Sequence, residues 1–202
     1  MAASTPITEK GRATRRRIIQ AAAELVGERG AAAATLDEVG ERAGASRSQL
    51  YHYFEDRDDL IRSVIDATTN AVLGAQGELL DELDSWAGID RWFRALVELQ
   101  VDRQATGGCP LGTLAGQLAE RDPRFRAAIA DGFGRWEQHL REGLERMKER
   151  GKLRTHADPA RLATATMASL EGGLLLTQIR RDPNQLRIAL DGARTLLRAA
   201  AA

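Results

Sequence analysis

The 202-residue chain has a single cysteine, Cys109, and only five prolines. One cysteine excludes an internal disulfide framework, and no cluster of cysteine and histidine residues has the spacing of a zinc site. No apolar run approaches the roughly 18 residues of a membrane span, and no apolar core follows the basic N-terminus as it would in a signal peptide. We therefore expect a cytoplasmic protein with no metal, no cofactor and no membrane association.

An excess of charge is also lacking, because 29 Lys and Arg residues balance 29 Asp and Glu residues. Duplex DNA binding depends largely on neutralising the phosphates. A DNA-bending protein would need a broad basic surface, which the balanced charge of this chain disfavours. A local basic segment is present, since residues 10–17 include Lys10, Arg12 and Arg15–Arg17 and no acidic residue. Any DNA-binding face should be small. Arg15–Arg17 either steer phosphates or only face solvent.

The composition predicts helices along nearly the whole chain. Alanine, leucine, arginine and glutamate dominate, and no stretch alternates apolar and polar residues over the length of a strand. Asp-Pro pairs at 122–123, 158–159 and 182–183 are typical helix starts. The predicted helices, about nine in number, lie near residues 9–29, 36–43, 47–53, 57–84, 88–105, 111–119, 123–150, 159–180 and 184–199.

Two short predicted helices each begin with a capping box. Thr35 and Ser46 are each followed three residues later by Glu or Gln, so the hydroxyl can accept from a first-turn amide while the later side chain reaches back. Between these helices, Gly44 can adopt the positive φ of a tight turn. The pattern predicts a helix-turn-helix within a domain of residues 1–66, of which 1–9 form a flexible tail, followed by a larger helical domain of residues 67–202.

The second helix of this pair has a face suited to a DNA groove. Its sequence is SRSQLYHYF, in which Leu50 and Phe54 are four residues apart and should face inward. The polar side chains then project outward. Arg47 can donate two hydrogen bonds to a guanine edge, and Gln49 can both donate to and accept from adenine.

The segment from Arg16 to Ile65 resembles the DNA-binding domain of the tetracycline-repressor (TetR/AcrR) family. Its most specific part, AGASRSQLYHYFEDRDDL, is similar to that family's pattern of Ala-Gly, a small or branched residue, Ser, a variable triplet, Leu-Tyr-x-[His/Tyr]-Phe and a basic residue. The chain departs from the pattern at Gly40, where alanine is usual, and at Ala45, where valine is usual. The resemblance implies an all-α fold with an N-terminal three-helix DNA-binding domain and a C-terminal domain that binds an effector and dimerises.

The resemblance also implies individual DNA contacts. Arg47, Ser48 and Gln49 occupy the positions that usually read base edges. The positions that usually hold the phosphate backbone are occupied by Thr35, Ser46, Tyr51, Tyr53 and Arg57. His52 projects from the same helix and completes the predicted DNA-binding set.

Six of the nine aromatic residues lie beyond residue 66. Most aromatic residues of helical domains belong to the hydrophobic core, yet aromatic-rich helical domains also enclose ligand cavities. The resemblance implies a pocket for a hydrophobic small molecule in the part of the chain beyond residue 66. The segment GGCPLGTLA resembles the opening of a ligand-facing helix in part of the family. The predicted pocket comprises Trp92, Phe93, Leu96, Cys109, Thr113, Phe133, Trp136, Met167 and Glu171.

Two residues of this pocket admit more than one interpretation. Glu171 lies in a strongly apolar stretch, so it either reaches solvent or has a partner, because an isolated buried carboxylate is costly. Cys109 precedes a predicted helix, whose N-terminal field can lower the pKa of a thiol. A reactive thiolate and a buried, inert thiol are therefore both consistent with the sequence.

The last two predicted helices favour a dimer. The helix at 159–180 is apolar or small on nearly every side, which predicts contacts with its own domain and with a second subunit. In proteins that resemble this chain, the two last helices of each subunit form a four-helix interface. The predicted interface residues are Leu170, Gly172, Gly173, Leu174, Leu186, Leu190, Ala193 and Leu197.

These observations predict a sequence-specific transcriptional regulator. We expect a homodimeric repressor that is released from a palindromic operator in double-stranded DNA by a small hydrophobic effector. A ligand-independent dimeric regulator, or an activator, is the alternative. An enzyme is not expected, because no nucleophile, base and orienting group occur together in the pattern.

Overall fold

The computed structural model describes residues 8–31 and 34–202, and ten α-helices occur in these ranges. The prediction of an all-α fold with a helix-turn-helix is confirmed. The helices are α1 (Glu9–Arg29), α2 (Leu36–Ala43), α3 (Arg47–Tyr53), α4 (Arg57–Gly74), α5 (Gly77–Asp81), α6 (Trp86–Asp102), α7 (Pro110–Leu118), α8 (Pro123–Glu149), α9 (Pro159–Arg180) and α10 (Asn184–Ala199). None of the helices within the described ranges is both long and apolar enough to cross a bilayer.

The predicted helix at 57–84 is wrong, and its replacement by two helices accounts for a total of ten rather than nine. The chain leaves the helix after Gly74 and forms the short α5 from Gly77, and glycine is among the weakest helix formers. Gln76 lies in this break. Its Nε2 donates to the carbonyl of Val72 at 2.8 Å, and its Oε1 accepts from Trp92 Nε1 at 2.7 Å. The Gln76 side chain therefore ties the break to the end of α4 and to α6.

The first helix begins earlier than the predicted tail allows. Thr8 is the N-cap of α1 and Glu9 is its first residue, so the tail prediction is wrong for these two positions. Residues 1–7 lie outside the described ranges. A smaller correction concerns α6, which begins at Trp86 because Ser85 caps it, and which ends before the positive φ angles of Gln104 and Ala105.

Two compact units make up the chain. The first contains the described residues up to Ala71 and Leu114–Gly132; the second contains Val72–Thr113 and Phe133–Ala202. In the first unit, α1 buries an apolar stripe that includes Ile18, Ala22 and Leu25. Burial of such a stripe is what makes a short helical unit stable. The predicted division of function at residue 66 stays a prediction.

In the second unit, α10 packs along α9 and buries most of the predicted dimer interface within a single chain. Leu170, Leu174, Leu186, Leu190, Ala193 and Leu197 are all at most 4 % exposed. Gly173 is approached by Leu186 and Ala189 of the same chain, because an added Cβ would lie 2.9 Å from Leu186 Cδ1. The prediction that these seven residues face a partner is therefore corrected: they form the packing between α9 and α10. Gly172 remains exposed.

A different set of apolar residues on the same two helices faces outward. Ile179 is 68 % exposed and Ile188 is 59 % exposed, which is unusual for large aliphatic side chains. The exposed set comprises Leu175, Leu176, Ile179, Ile188 and Leu196.

Candidate functional site

Both predicted capping boxes are present in the first unit. The Thr35 hydroxyl accepts from the Glu38 amide at 3.3 Å, while Glu38 Oε2 accepts from the Thr35 amide at 3.2 Å. At α3, the Ser46 hydroxyl accepts from the Gln49 amide at 3.2 Å, and Gln49 Oε1 accepts from the Ser46 amide at 2.9 Å. The first-turn amides that a helix leaves unpaired are thus satisfied locally.

The turn between α2 and α3 depends on two glycines. Gly44 has φ 58° and ψ 40°, the left-handed conformation predicted for it. Gly40 allows a close approach, because a Cβ there would lie 2.9 Å from the carbonyl oxygen of Ala45 and 3.0 Å from Leu50 Cδ1. The departure from the family pattern at position 40 therefore fits the tight packing of α2 on this turn.

The turn presents α3 with one face inward and the predicted DNA-binding face outward. Leu50 and Phe54 are at most 2 % exposed, as predicted. Ser46, Arg47, Ser48, Gln49, Tyr51 and His52 are exposed, and Tyr53 is half-buried. All of these except the cap Ser46 lie on a single helix of seven residues. Their contact with DNA stays a prediction.

Two contacts of aromatic rings lie on this exposed face. The Arg47 guanidinium lies 5.8 Å from the centre of the Tyr51 ring, within the range of a cation–π contact. A hydrogen bond with Tyr51 raises the pKa of Arg47 above its ordinary value. The rings of His52 and Tyr53 meet edge to face, with their centres 4.8 Å apart.

Arg57, which is predicted to hold the phosphate backbone, also bonds within the first unit. Its Nε donates to the carbonyl of Ala34 at 2.9 Å, and its Nη2 donates to the carbonyl of Ala31. The guanidinium is half-buried and holds the turn between α1 and α2. These bonds give Arg57 a structural role beside the predicted DNA contact, which stays a prediction.

The basic residues of α1 are also used within the first unit. Arg17 Nε donates to the carbonyl of Ala43 at 2.7 Å, at the end of α2. Arg15 donates to the Ser63 hydroxyl at 2.9 Å and lies over the ring of Phe54 at 5.2 Å. Arg15 and Arg17 therefore support the helix-turn-helix, a role that sequence reasoning missed because the partners are 26 to 48 residues away.

The predicted ligand-binding residues all belong to the second unit. Trp92, Phe93, Leu96, Trp136 and Met167 are at most 7 % exposed, whereas Phe133 is half-buried and Thr113 is exposed. Trp92 and Phe93 stack with ring centres 5.3 Å apart. A mainly apolar region with few polar groups is typical of a site for a hydrophobic molecule.

The buried Cys109 and the half-buried Glu171 form a pair in this unit. The Cys109 thiol donates to the Glu171 carboxyl, and Cys109 Sγ accepts from the Gly112 amide at 3.3 Å. Burial, assisted by the nearby carboxylate, raises the pKa of Cys109 to about 12. Of the two interpretations of Cys109, the structure favours the buried, inert thiol, because the thiolate is the reactive form.

Some polar atoms of the predicted pocket residues have no hydrogen-bond partner in the described ranges. Burial raises the pKa of Glu171 above its ordinary value, and the hydrogen bond from Cys109 lowers it in part. Glu171 Oε1 and Trp136 Nε1 are both buried without a hydrogen-bond partner in the described ranges. Buried polar atoms without partners are rare, and they commonly mark a place for water or a ligand.

A surface groove lies elsewhere in the second unit, between α6 and α10. Its volume is about 330 Å³. Phe93 is the one predicted pocket residue that lines it, and most of the other lining residues are charged: Asp90, Arg94, Glu98, Arg187, Asp191 and Arg194. Asp90 and Arg194 form an ion pair at 2.9 Å across the groove. Its charged lining does not match the predicted hydrophobic pocket. No group of three or more potential metal ligands occurs in the described part of the chain.

Two sequence families match the chain. Residues 18–64 match the family described as bacterial regulatory proteins of the tetR family, and residues 86–193 match the family described as tetracyclin repressor-like, C-terminal domain. The first match includes the whole helix-turn-helix. The second includes most of the second compact unit.

Individual relatives and solved structures are similar over nearly the whole length. The HTH-type transcriptional regulator Rv0196 of Mycobacterium tuberculosis is 33 % identical over 200 residues, which cover 91 % of this chain and 93 % of the relative. The transcriptional regulator AcuR of Cereibacter sphaeroides is 26 % identical over 84 % of this chain and 78 % of its own. A TetR-family regulator of Cytophaga hutchinsonii superposes with a TM-score of 0.81 at 16 % identity, over 97 % of this chain and 98 % of that one.

Proposed function

Because the chain belongs to the TetR family of bacterial transcriptional regulators, we propose that it represses transcription as a homodimer that leaves a palindromic operator when an effector binds. The protein is a DNA-binding transcriptional regulator and not an enzyme. The parts of this function that we propose are repression, the palindromic operator, the homodimer and release by an effector. Since operator DNA lies in the bacterial cytoplasm, we propose that the protein acts there.

The observation that carries the proposal is the outward face of α3. Leu50 and Phe54 anchor the helix in the first unit while Arg47, Ser48 and Gln49 remain exposed near its capped N-terminus. In helix-turn-helix proteins, the N-terminal residues of the second helix contact base edges in the major groove. Direct base contacts then provide specificity, and contacts with phosphates provide affinity and register.

The exposed apolar set on α9 and α10 supports the homodimer. Five large aliphatic side chains are between 40 % and 68 % exposed on these two helices. A face of this kind is commonly an interaction surface in soluble proteins. Its partner would be a second copy of the chain, because a twofold dimer presents the same face from both subunits and matches a palindromic operator.

The effector site is proposed within the second unit, at the predicted set of buried aromatic residues. Cys109 and Glu171, with Trp136 Nε1, would supply its polar contacts. Operator release requires the effector to favour the form of the dimer that binds DNA poorly. A hundredfold release corresponds to a coupling free energy of about 2.7 kcal/mol, and operator DNA must weaken effector binding by the same factor.

Selection of duplexes from a random DNA pool by the purified full-length protein tests the proposal. We expect enrichment of a palindrome whose half-sites lie about one helical turn apart. Enrichment of a single half-site would contradict the dimeric part, and no enrichment would contradict specific recognition. Transcription from a promoter that contains the selected site then separates a repressor from an activator by the sign of the change.

A screen of small apolar compounds against the complex of protein and selected duplex tests the effector. A compound that releases the duplex should bind free protein more tightly than the complex, by the same factor as its effect on DNA affinity. If no compound that binds the second unit changes DNA affinity, the ligand-independent alternative is correct.

A further inference from the structure

The turn between α1 and α2 is held by side chains from two distant parts of the first unit. The backbone N–H of Ala31 donates to Oε1 of Gln117 on α7 at 2.7 Å, although the two residues are 86 positions apart. From α4, Arg57 donates to the carbonyls of Ala31 and Ala34. The amide and the carbonyl of Ala31 are therefore both satisfied by side chains outside the turn.

The backbone groups of Ala31 and Ala34 depend on such partners because both residues are buried and have apolar side chains. Ala31 and Ala34 are 1 % and 3 % exposed, so water does not replace a missing hydrogen bond easily. Alanine side chains have no donor or acceptor that could take its place. A buried amide without a partner costs more than the net gain of an ordinary hydrogen bond.

Ala34, whose carbonyl accepts from Arg57, lies beside the start of α2. Ala34 is followed directly by Thr35, the N-cap of α2. At the other end of α2, Arg17 holds the carbonyl of Ala43 at 2.7 Å. Because α2 packs against the turn that leads into α3, the distance between the N-terminus of α2 and α3 stays constant only if both ends of α2 are held.

We propose that Gln117 is a positioning residue for DNA binding, acting through the Ala31 amide on the start of α2. This inference rests on the proposed function and adds a residue on α7, outside the sequence of the helix-turn-helix. Gln117 holds the turn with an uncharged acceptor, and Arg57 holds it with a charged donor. Loss of the Gln117 acceptor leaves α1 and α3 folded but changes the position of the α2 N-terminus.

The test compares Gln117→Leu, which removes the acceptor, with Gln117→Glu, which keeps an acceptor oxygen at the same position. Gln76→Leu is the matched control, because Gln76 Oε1 also accepts an N–H at 2.7 Å, but from Trp92 in the second unit. Each full-length variant is titrated with the duplex that the wild type selects. Thermal unfolding and hydrogen–deuterium exchange of the segment around Ala31 are measured in parallel.

We expect Gln117→Leu to bind the duplex about tenfold more weakly, with faster exchange around Ala31, while Gln117→Glu stays close to the wild type in both. Gln76→Leu should lower the melting temperature without changing DNA affinity. Wild-type affinity in Gln117→Leu, equal losses in both Gln117 variants, or an equal loss in Gln76→Leu would each overturn the inference.

Failure of the proposed function looks different. In that case the wild type itself selects no duplex, whereas failure of the inference leaves wild-type binding intact. The exchange measurement then decides whether Gln117 holds the turn: protection lost in Gln117→Leu and kept in Gln117→Glu supports it, and equal protection in all variants overturns it.

Discussion

The backbone N–H of Ser46 donates a hydrogen bond of 2.9 Å to Oε1 of Gln49. The side chain predicted to read a base is thus also half of the cap of α3. Its carbonyl oxygen is committed to the helix, and its Nε2 group is left to donate. The bidentate contact with adenine needs both groups, so the cap favours contacts with acceptors such as guanine O6 or thymine O4.

Gln49→Glu should separate the two roles of this residue. Glutamate keeps an oxygen for the Ser46 amide, so the stability of the protein should change by less than about 0.5 kcal/mol. The donor to a base is lost, and discrimination at one operator position should fall by about 1–3 kcal/mol. Titrations with duplexes that carry single base-pair changes measure this. An unchanged base preference would contradict direct readout by Gln49.

Arg47→Ala should weaken binding to the selected duplex by about 1–3 kcal/mol and relax one operator position. Arg91→Ala is the control, since Arg91 is also exposed but lies on α6 beside Glu82, in the second unit. The measurement is the affinity of both variants for a panel of single-position operator variants. An equal loss on every duplex would make Arg47 a phosphate contact instead.

Arg57→Met separates the predicted phosphate contact of Arg57 from its structural role. A phosphate contact would lower the slope of log affinity against log salt concentration by about 1, whereas a residue that holds the carbonyls of Ala31 and Ala34 contributes nothing to that slope. We expect weaker DNA binding and a lower free energy of unfolding, by about 1–3 kcal/mol, at an unchanged slope. Titrations at several salt concentrations decide between the two roles.

Ile179→Asp should dissociate the proposed dimer. Ile179 is 68 % exposed on α9, and an interfacial carboxylate without a partner is costly to desolvate. Val101→Asp is the matched control, because Val101 is also exposed, at 51 %, but lies on α6. Sedimentation velocity should show a monomer for the first variant and a dimer for the second. A dimeric Ile179→Asp would place the interface elsewhere.

Glu171→Gln should stabilise the protein at neutral pH. The pKa of Glu171 is raised in the folded state above its ordinary value of 4.5. Its contribution to stability is therefore complete below pH 4.5 and is lost as the pH rises through the folded pKa. The variant has no charge to bury, so its melting temperature should exceed that of the wild type at pH 7 and approach it at pH 4. For Glu145→Gln, at an exposed position on α8, the difference in melting temperature from the wild type should not shrink between pH 7 and pH 4.

Local signals in the sequence were sufficient for the helix-turn-helix. Each of its features involves only residues within four positions of one another: the caps at Thr35 and Ser46, the left-handed Gly44, and the inward pair of Leu50 and Phe54. Interactions over such distances are decided by backbone geometry and side-chain type. For the same reason the starts of α2, α3, α9 and α10 were predicted to the residue.

The exposed face of α9 could not be chosen in this way. Leu174 and Leu175 are adjacent and chemically equal, yet the first is 4 % exposed and the second 56 %. A helix that is apolar on nearly every side has no polar stripe to mark its outer surface. The position of α10 against Gly173 decides which leucine is buried.

The sequence by itself determined the family, the helix-turn-helix and the residues on the outer face of α3, because these depend on short-range geometry and on a contiguous motif. Only the tertiary structure decided that Arg57 and Gln117 hold the turn at Ala31, and that Cys109 is buried against Glu171. These pairs join residues 26 to 86 positions apart. Such contacts form when helices pack, and packing depends on the shape of the whole unit and not on any local pattern.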